Sequence, residues 1–165
     1  MKYYLVILLA ILTLAGCANS SDPSSDNTHP YDTLYADVSG AYTLAFNTTA
    51  VNINDYPADS ATGYLISGTL PKGPLELYTI YIYFEDSGDG RTEYDLAGTE
   101  GMTRFVFNAG LTGAETLGSN IAGHLTLTKN TDKEMSGTFS YSAATPDSSK
   151  SITISNGFFS FTIEN

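Results

Sequence analysis

The sequence is poor in several residue types, and each scarcity excludes a class of structure or function. The 165-residue chain has one cysteine, so no disulfide can form within it. It has only two histidines, which leaves no cluster of His and Cys ligands for a zinc site. Seven Lys and Arg residues stand against 18 Asp and Glu, for a net charge of −11. Nucleic acid is therefore a poor partner, because phosphate binding needs clustered cations.

Helical periodicity is also missing from residue 38 onward, and short runs of alternating apolar and polar residues take its place. Such alternation, with many aromatic and β-branched residues, is typical of half-buried strands. Clusters of Gly, Pro, Asn and Asp separate the runs. The pattern predicts an all-β domain, an antiparallel β-sandwich of about 8–10 short strands. A closed, lipocalin-like β-barrel is the alternative.

Two local details refine this prediction. Asn156-Gly157 lies between two alternating runs, and this dipeptide favours a two-residue hairpin turn with positive φ. The chain from His124 to Ile163 is therefore expected to form a meander of four strands. A single turn of helix could occur around residues 55–61 or 113–118.

The amino-terminal segment has the parts of an export signal. Lys2 is followed by an apolar run that ends in Leu14-Ala15-Gly16-Cys17. The run is shorter than the about 20 residues that a membrane span needs, and small residues precede the cysteine. The Leu-Ala-Gly-Cys ending resembles the lipobox of bacterial lipoproteins. The resemblance implies that the signal is cut before Cys17 and that the Cys17 thiol carries a diacylglyceryl group. By the sorting rule of such proteins, Ala18 implies the outer membrane.

These observations divide the chain into three parts: a signal peptide at 1–16, the lipidated cysteine and a flexible linker at 17–36, and a β domain at 37–165. The linker is rich in Ser, Asp and Pro and has little apolar surface to bury. Removal of the signal takes Lys2 away, which leaves 18 acidic and six basic residues and a formal charge of −12. The predicted location is the bacterial cell envelope, with the membrane as a partner through the anchor on Cys17.

Three carboxy-terminal segments resemble a group of uncharacterised small bacterial lipoproteins that share a domain of unknown function. The segments are Gly123–Lys129, Met135–Tyr141 and Ile152–Phe159. Their shared features are turn glycines and core aromatics. The resemblance therefore implies an architecture and a location, and it implies no activity.

The residues that could carry chemistry do not form a known catalytic or metal-binding pattern. His124 is the only histidine of the β domain; alternation places it on the polar face of its strand, and no Gly-x-Ser-x-Gly motif accompanies it. The acidic segment Glu85–Glu93 attracts a calcium interpretation, but it departs from the EF-hand spacing. We interpret it as a hairpin loop. The sequence thus predicts no catalytic residues, no metal, no cofactor and no enzymatic activity.

The tyrosine-rich run Leu75–Phe84 gives the best candidate for a binding site. Its even positions are expected to face the core, and its odd positions, which include Tyr81 and Tyr83, face the other way. An exposed pair of tyrosines could stack on a glycan or dock a partner protein. The alternative is a strand buried on both faces, in which the tyrosines only stabilise the sheet.

The sequence as a whole predicts an envelope-anchored lipoprotein whose β domain acts as a binding or structural module. Two other functions stay open. A barrel with a hollow interior would indicate a carrier of a small apolar ligand, and a cleft with converging Asp, Glu and His124 would indicate a hydrolase.

Overall fold

A computed structural model describes residues 32–57, 62–98, 101–110 and 113–163. The predicted signal peptide, Cys17 and most of the predicted linker lie outside the described residues. Eleven strands and no α-helix are found in the described part of the chain. The strands are β1 (Thr33–Gly40), β2 (Leu44–Thr48), β3 (Val51–Pro57), β4 (Thr62–Pro71), β5 (Glu76–Asp86), β6 (Glu93–Asp95), β7 (Gly101–Ala109), β8 (Ala114–Leu117), β9 (Ser119–Asn130), β10 (Glu134–Ala144) and β11 (Ser151–Thr162).

The strands form two open antiparallel sheets. The first sheet has six strands in the order β2-β1-β11-β10-β9-β6, and the second has five in the order β3-β4-β5-β7-β8. The predicted β-sandwich is therefore confirmed, and the closed barrel is wrong. The number of strands exceeds the expected 8–10, because short strands such as β6 and β8 escape detection by alternation.

Large apolar side chains from both sheets fill the space between them. In β5 the expected alternation is confirmed, since Ile80, Ile82 and Phe84 are completely buried. Phe105 of β7 and Phe159 of β11 are equally buried. Burial of such side chains stabilises the fold by about 1.5–3 kcal/mol each.

The first strand begins at Thr33, earlier than the predicted domain start at residue 37. Leu34 and Ala36 continue the alternation that leads to Val38, and all three side chains are buried. Asp32 anchors the entry to the strand, because its Oδ1 accepts a hydrogen bond of 2.9 Å from the Thr162 amide. The predicted linker thus contributes its last residues to the first sheet.

The expected hairpin turn at Asn156-Gly157 is wrong. Strand β11 runs through these residues without a break, and the registers with β1 and β10 both shift beside them. Asn156 has a φ of 51°, so the residues form a β-bulge, which also tolerates a left-handed residue. Because of the extra residue, the buried side chains of β11 change from even positions, Ile152 and Ile154, to odd positions, Phe159 and Phe161. The carboxy-terminal meander accordingly has three strands, not four.

Two other local expectations are corrected. Residues 113–118 hold strand β8, and the described part of 55–61 belongs to β3, so neither forms a helical turn. The acidic loop after Asp86 is a crossover, because β5 lies in the second sheet and β6 in the first. Its carboxylates shape its turns: Asp86 Oδ1 accepts from the Gly88 amide at 2.8 Å, and Asp89 Oδ1 accepts from the Arg91 amide at 2.9 Å.

Candidate functional site

Tyr81 and Tyr83 lie on the outer face of the second sheet, in its central strand. Both side chains are half-buried, while their neighbours Ile80, Ile82 and Phe84 point into the core. Half-burial lies between the two expectations from the sequence. The tyrosine rings pack against neighbouring strands and still present surface to solvent.

Antiparallel register determines which side chains surround the two tyrosines. Leu65 of β4 and Met102 of β7 lie opposite Tyr83, on either side of it, and Arg104 of β7 lies opposite Tyr81. Directly opposed residues of neighbouring strands share a face of the sheet. Together these five side chains line an open groove of about 620 Å³, which we call the tyrosine groove.

The groove combines apolar surface with one cation. Met102 is 49% exposed, so its thioether adds accessible apolar surface beside the tyrosines. Arg104 is exposed, and in the described part of the chain no carboxylate lies within ion-pairing distance of its guanidinium. The side chain of Arg104 runs beside Gly118, where a Cβ would be 3.7 Å from both its Cγ and its Nε.

Most residues around the groove are uncharged. On the outward positions of the described strands in this sheet, Arg104 and Glu85 are the only charged residues. Glu85 is engaged, since its Oε1 accepts a hydrogen bond of 2.9 Å from Tyr83 Oη. Among the other outward neighbours, amides and hydroxyls come from Asn52, Asn54, Ser67, Thr69, Thr79 and Asn108. Leu77 and Val106 add apolar surface to the same face.

The first sheet has an outer groove of similar volume, about 640 Å³, whose lining includes Tyr35, His124, Ser140 and Asn156. Several of its polar groups bond to one another. Asp37 accepts from Tyr35 Oη at 3.2 Å and from Asn156 Nδ2 at 2.9 Å. Two of the polar side chains that line this groove, those of Tyr35 and Asn156, are therefore already engaged by Asp37.

His124 is exposed on this outer face, as the alternation predicted. Register places Asp95 of β6 and Ser140 of β10 directly opposite His124, so an acid, a base and a hydroxyl share one row. However, the only side-chain hydrogen bond of His124 joins its Nε2 to Thr126 Oγ1 at 3.2 Å. A serine triad needs the base bonded to both the nucleophile and the acid, and neither bond is present among these described residues.

A polar cluster closes one end of the sandwich. Glu115 Oε2 accepts hydrogen bonds from Lys150 Nζ, at 2.8 Å, and from Tyr42 Oη. The Lys150 hydrogen bond, followed by that of Tyr42, lowers the pKa of Glu115. Partial burial, with the Glu115 hydrogen bond, raises the pKa of Tyr42. The Tyr42 ring also packs against Phe105 and against further aromatics, so the cluster joins both sheets and we assign it a structural role.

In residues 32–57, 62–98, 101–110 and 113–163, no three His, Cys, Asp or Glu side chains converge on a point that could hold a metal ion. Within the same ranges no helix has the length and apolarity to cross a membrane.

Sequence reasoning identified Tyr81 and Tyr83 but missed Leu65, Met102 and Arg104. The three missed residues lie on strands β4 and β7, and only the pairing of those strands with β5 brings them to the tyrosines. Arg104 directly precedes the buried Phe105, so period-two alternation is enough to assign it to the outward face. That pattern could not show which residue Arg104 would face.

The chain matches no family model, no curated protein and no solved structure.

Proposed function

We propose that this protein is a lipid-anchored binding module of the bacterial cell envelope, and that its tyrosine groove binds a glycan. The observation that carries the proposal is the groove itself. Two half-buried tyrosines, a leucine, a methionine and an arginine lie side by side on the central strands, and the arginine has no ion-pair partner among the described residues. Exposed apolar groups in a depression of this kind are typical of ligand sites.

The chemistry of the groove favours a sugar over a protein surface. The C–H groups of a pyranose ring pack well on the electron-rich face of a tyrosine. The amides and hydroxyls around the groove can bond to sugar hydroxyls. A stable protein interface buries about 800 Å² per partner around an apolar centre. Here the polar Ser67 and the charged Arg104 lie directly opposite Tyr81, on either side of it.

The filled interior supports binding at the surface over transport of an apolar ligand inside the domain. Ile66, Ile82, Phe105, Leu125 and Phe159, which come from both sheets, are completely buried. A carrier would need this space for its ligand. The unconnected row of Asp95, His124 and Ser140 likewise favours binding over hydrolysis.

The anchor proposed for Cys17 would place the groove within reach of envelope polymers. About 16 residues separate Cys17 from β1, and a flexible segment of that length has a root-mean-square span of about 22 Å. Two or more acyl chains give stable attachment, at about 0.8 kcal/mol per buried CH₂. The domain would then be held near the bilayer while its net negative charge keeps it off anionic headgroups.

The glycan proposal is tested by screening the full mature protein in detergent against an array of neutral and acidic oligosaccharides. The double substitution Tyr81→Ser/Tyr83→Ser should weaken binding of each array hit at least tenfold, or about 1.4 kcal/mol. The matched control is Tyr35→Ser/Phe158→Ser on the outer face of the first sheet, which should bind as the wild type does. Equal loss in both variants, or an array without hits, would contradict the proposal.

The anchor proposal has a separate test. Cys17→Ser should abolish incorporation of an alkyne-labelled fatty acid and release the protein from the membrane fraction. The chain has no other cysteine, so label that persists in the variant would show that the thiol is not the acylation site.

A further inference from the structure

Arg104, like Lys72 and Lys133, has no ion-pair partner among the described residues, but of these three cations only Arg104 lines the tyrosine groove. Lys150 forms an ion pair of 2.8 Å with Glu115, and Lys129 is paired with Glu134. The guanidinium carbon of Arg91 lies 4.7 Å from the centre of the Tyr94 ring. Arg104 has no such partner among the described residues, although the chain carries 18 acidic side chains.

We propose that Arg104 binds the acidic group of an anionic glycan whose sugar ring packs on the tyrosines, the acidic group being a carboxylate or a sulfate. This inference rests on the proposed function and names the class of sugar. The planar guanidinium presents its donors as a rigid fork, which fits two oxygens of one oxyanion.

The geometry of the groove matches one sugar unit and its substituent. Arg104 lies opposite Tyr81, and side chains so opposed are about 5 Å apart at their Cβ atoms, comparable with the size of one sugar ring. Because the Arg104 side chain runs beside Gly118, the cation stands on the β8 side of the groove. A ring stacked on Tyr81 would therefore direct an acidic substituent towards β8.

The charge of the whole protein opposes such a ligand, so the local arrangement must decide. Charges beyond about 8 Å are largely screened at physiological ionic strength. On the outward positions of the described strands of the second sheet, Glu85 is the only carboxylate, and Tyr83 Oη donates a hydrogen bond to it. At the groove itself, Arg104 is therefore the dominant charge, and it complements an anion.

The test compares charged and uncharged versions of the same sugar by isothermal titration calorimetry, with the full mature protein in detergent. The carboxylate arm uses hexagalacturonate and its methyl ester. The sulfate arm uses a carrageenan hexasaccharide and its desulfated form. We expect at least a tenfold preference for the acidic member of one arm, and the arm that shows it identifies the anion.

Arg104→Gln should remove that preference and leave binding of the uncharged member unchanged. Arg104→Lys should restore part of it, because an ammonium supplies the charge without the fork. The matched control is Lys72→Gln, which removes the same charge from an exposed position away from the groove. Its preference should equal that of the wild type, and all variants should melt at the wild-type temperature.

Three results would overturn the inference. In the first, acidic and uncharged sugars bind equally well and Arg104→Gln does not change the affinity for either. The proposed glycan function would then survive. Lys72→Gln could reduce the preference as much as Arg104→Gln does, which would indicate a general charge effect. Neither acidic probe could bind at all, in which case binding of the uncharged members decides whether the groove takes glycans.

Discussion

The outer faces of the two sheets arise from the same alternation of side chains along each strand, but they carry different kinds of side chain. On each sheet, alternation sends one set of side chains into the shared core and the other set outwards. The outward set of the first sheet is rich in small hydroxyl residues that bond across strands. Thr128 and Ser136 oxygens are 3.0 Å apart, and those of Ser142 and Thr153 are 3.2 Å apart. The outward set of the second sheet has large side chains around Tyr81 and Tyr83.

The volume of the grooves does not separate the two faces, because each has one of similar size. The difference lies in what the groups lining each groove already contact. Around Asp37 of the first sheet, donors and acceptors satisfy one another. On the second sheet, Met102 and Arg104 keep exposed apolar and charged surface. In the proposed function, the binding face is the one whose groups keep interactions open to a ligand, and the effects of substitution should differ between the two faces accordingly.

The largest effect is expected where the first sheet is most tightly built. A Cβ at Gly157 would lie 2.5 Å from the Phe139 carbonyl oxygen and 2.7 Å from its ring. Gly157→Val should therefore destabilise the domain by about 3 kcal/mol or more, measured by urea denaturation. Gly73→Val is the control, because no atom lies within 4 Å of a Cβ there. Equal stabilities for the two variants would show that the bulge can open at little cost.

The same position shows how far the sequence could predict the fold. Alternation identified the buried face of β5 and the sandwich, because each strand obeys a local rule. Asn156-Gly157 was misread because a turn and a bulge both accept a left-handed residue and both shift the alternation. Only the pairing of β11 with β1 and β10 on its two sides separates them.

The tyrosine groove, like the fold, could be predicted only as far as local patterns within one strand reach. Tyr81 and Tyr83 could be recognised because a single strand carries both. Arg104 could not be placed beside them, since its partner is fixed by contacts across strands that no local pattern encodes. Charge and composition limited the ligand class without giving the position of the cation.

The second prediction asks whether the outer face of the second sheet serves stability or binding. Tyr81→Ser/Tyr83→Ser should cost about 1–2 kcal/mol in total, because both rings are only half-buried. Ile82→Ala, between them on the inner face, should alone cost about 2–5 kcal/mol. Urea denaturation of both variants provides the comparison. A double variant that loses more stability than Ile82→Ala would mean that the tyrosines are structural.

The third prediction uses a hydroxyl on the inner face of the first sheet. Tyr141 Oη is buried and has no hydrogen-bond partner in the described structure, and burial raises the pKa of its phenol. Since an unsatisfied buried hydroxyl costs about 1–3 kcal/mol, Tyr141→Phe should stabilise the domain by about 1 kcal/mol. Tyr83→Phe, which removes a hydroxyl bonded to Glu85, should give no such gain. A lower melting temperature for Tyr141→Phe would indicate that this hydroxyl is satisfied in solution.

The smallest effect is expected at an exposed loop of the first sheet, where polar groups again satisfy one another. Asp147 Oδ1 accepts from Thr145 Oγ1 at 2.6 Å, and the Ser149 amide and hydroxyl also donate to it. The Thr145 hydrogen bond and then those of Ser149 lower the pKa of Asp147 from 3.8 to about 2.

A carboxylate with a depressed pKa stabilises the fold above its ordinary pKa, and this contribution disappears as the pH falls through the folded-state value. Asp147→Asn should therefore be less stable than the wild type at neutral pH, and the difference should vanish as the pH falls from about 4 to about 2. Urea denaturation across that range measures the difference, and NMR titration of the carboxyl carbon measures the pKa directly. If the stabilities of the two proteins differ by the same amount at every pH, the hydrogen bonds to Asp147 do not favour its charged form. The loops of the first sheet would then lack the mutual hydrogen bonding of polar groups that its outer face shows.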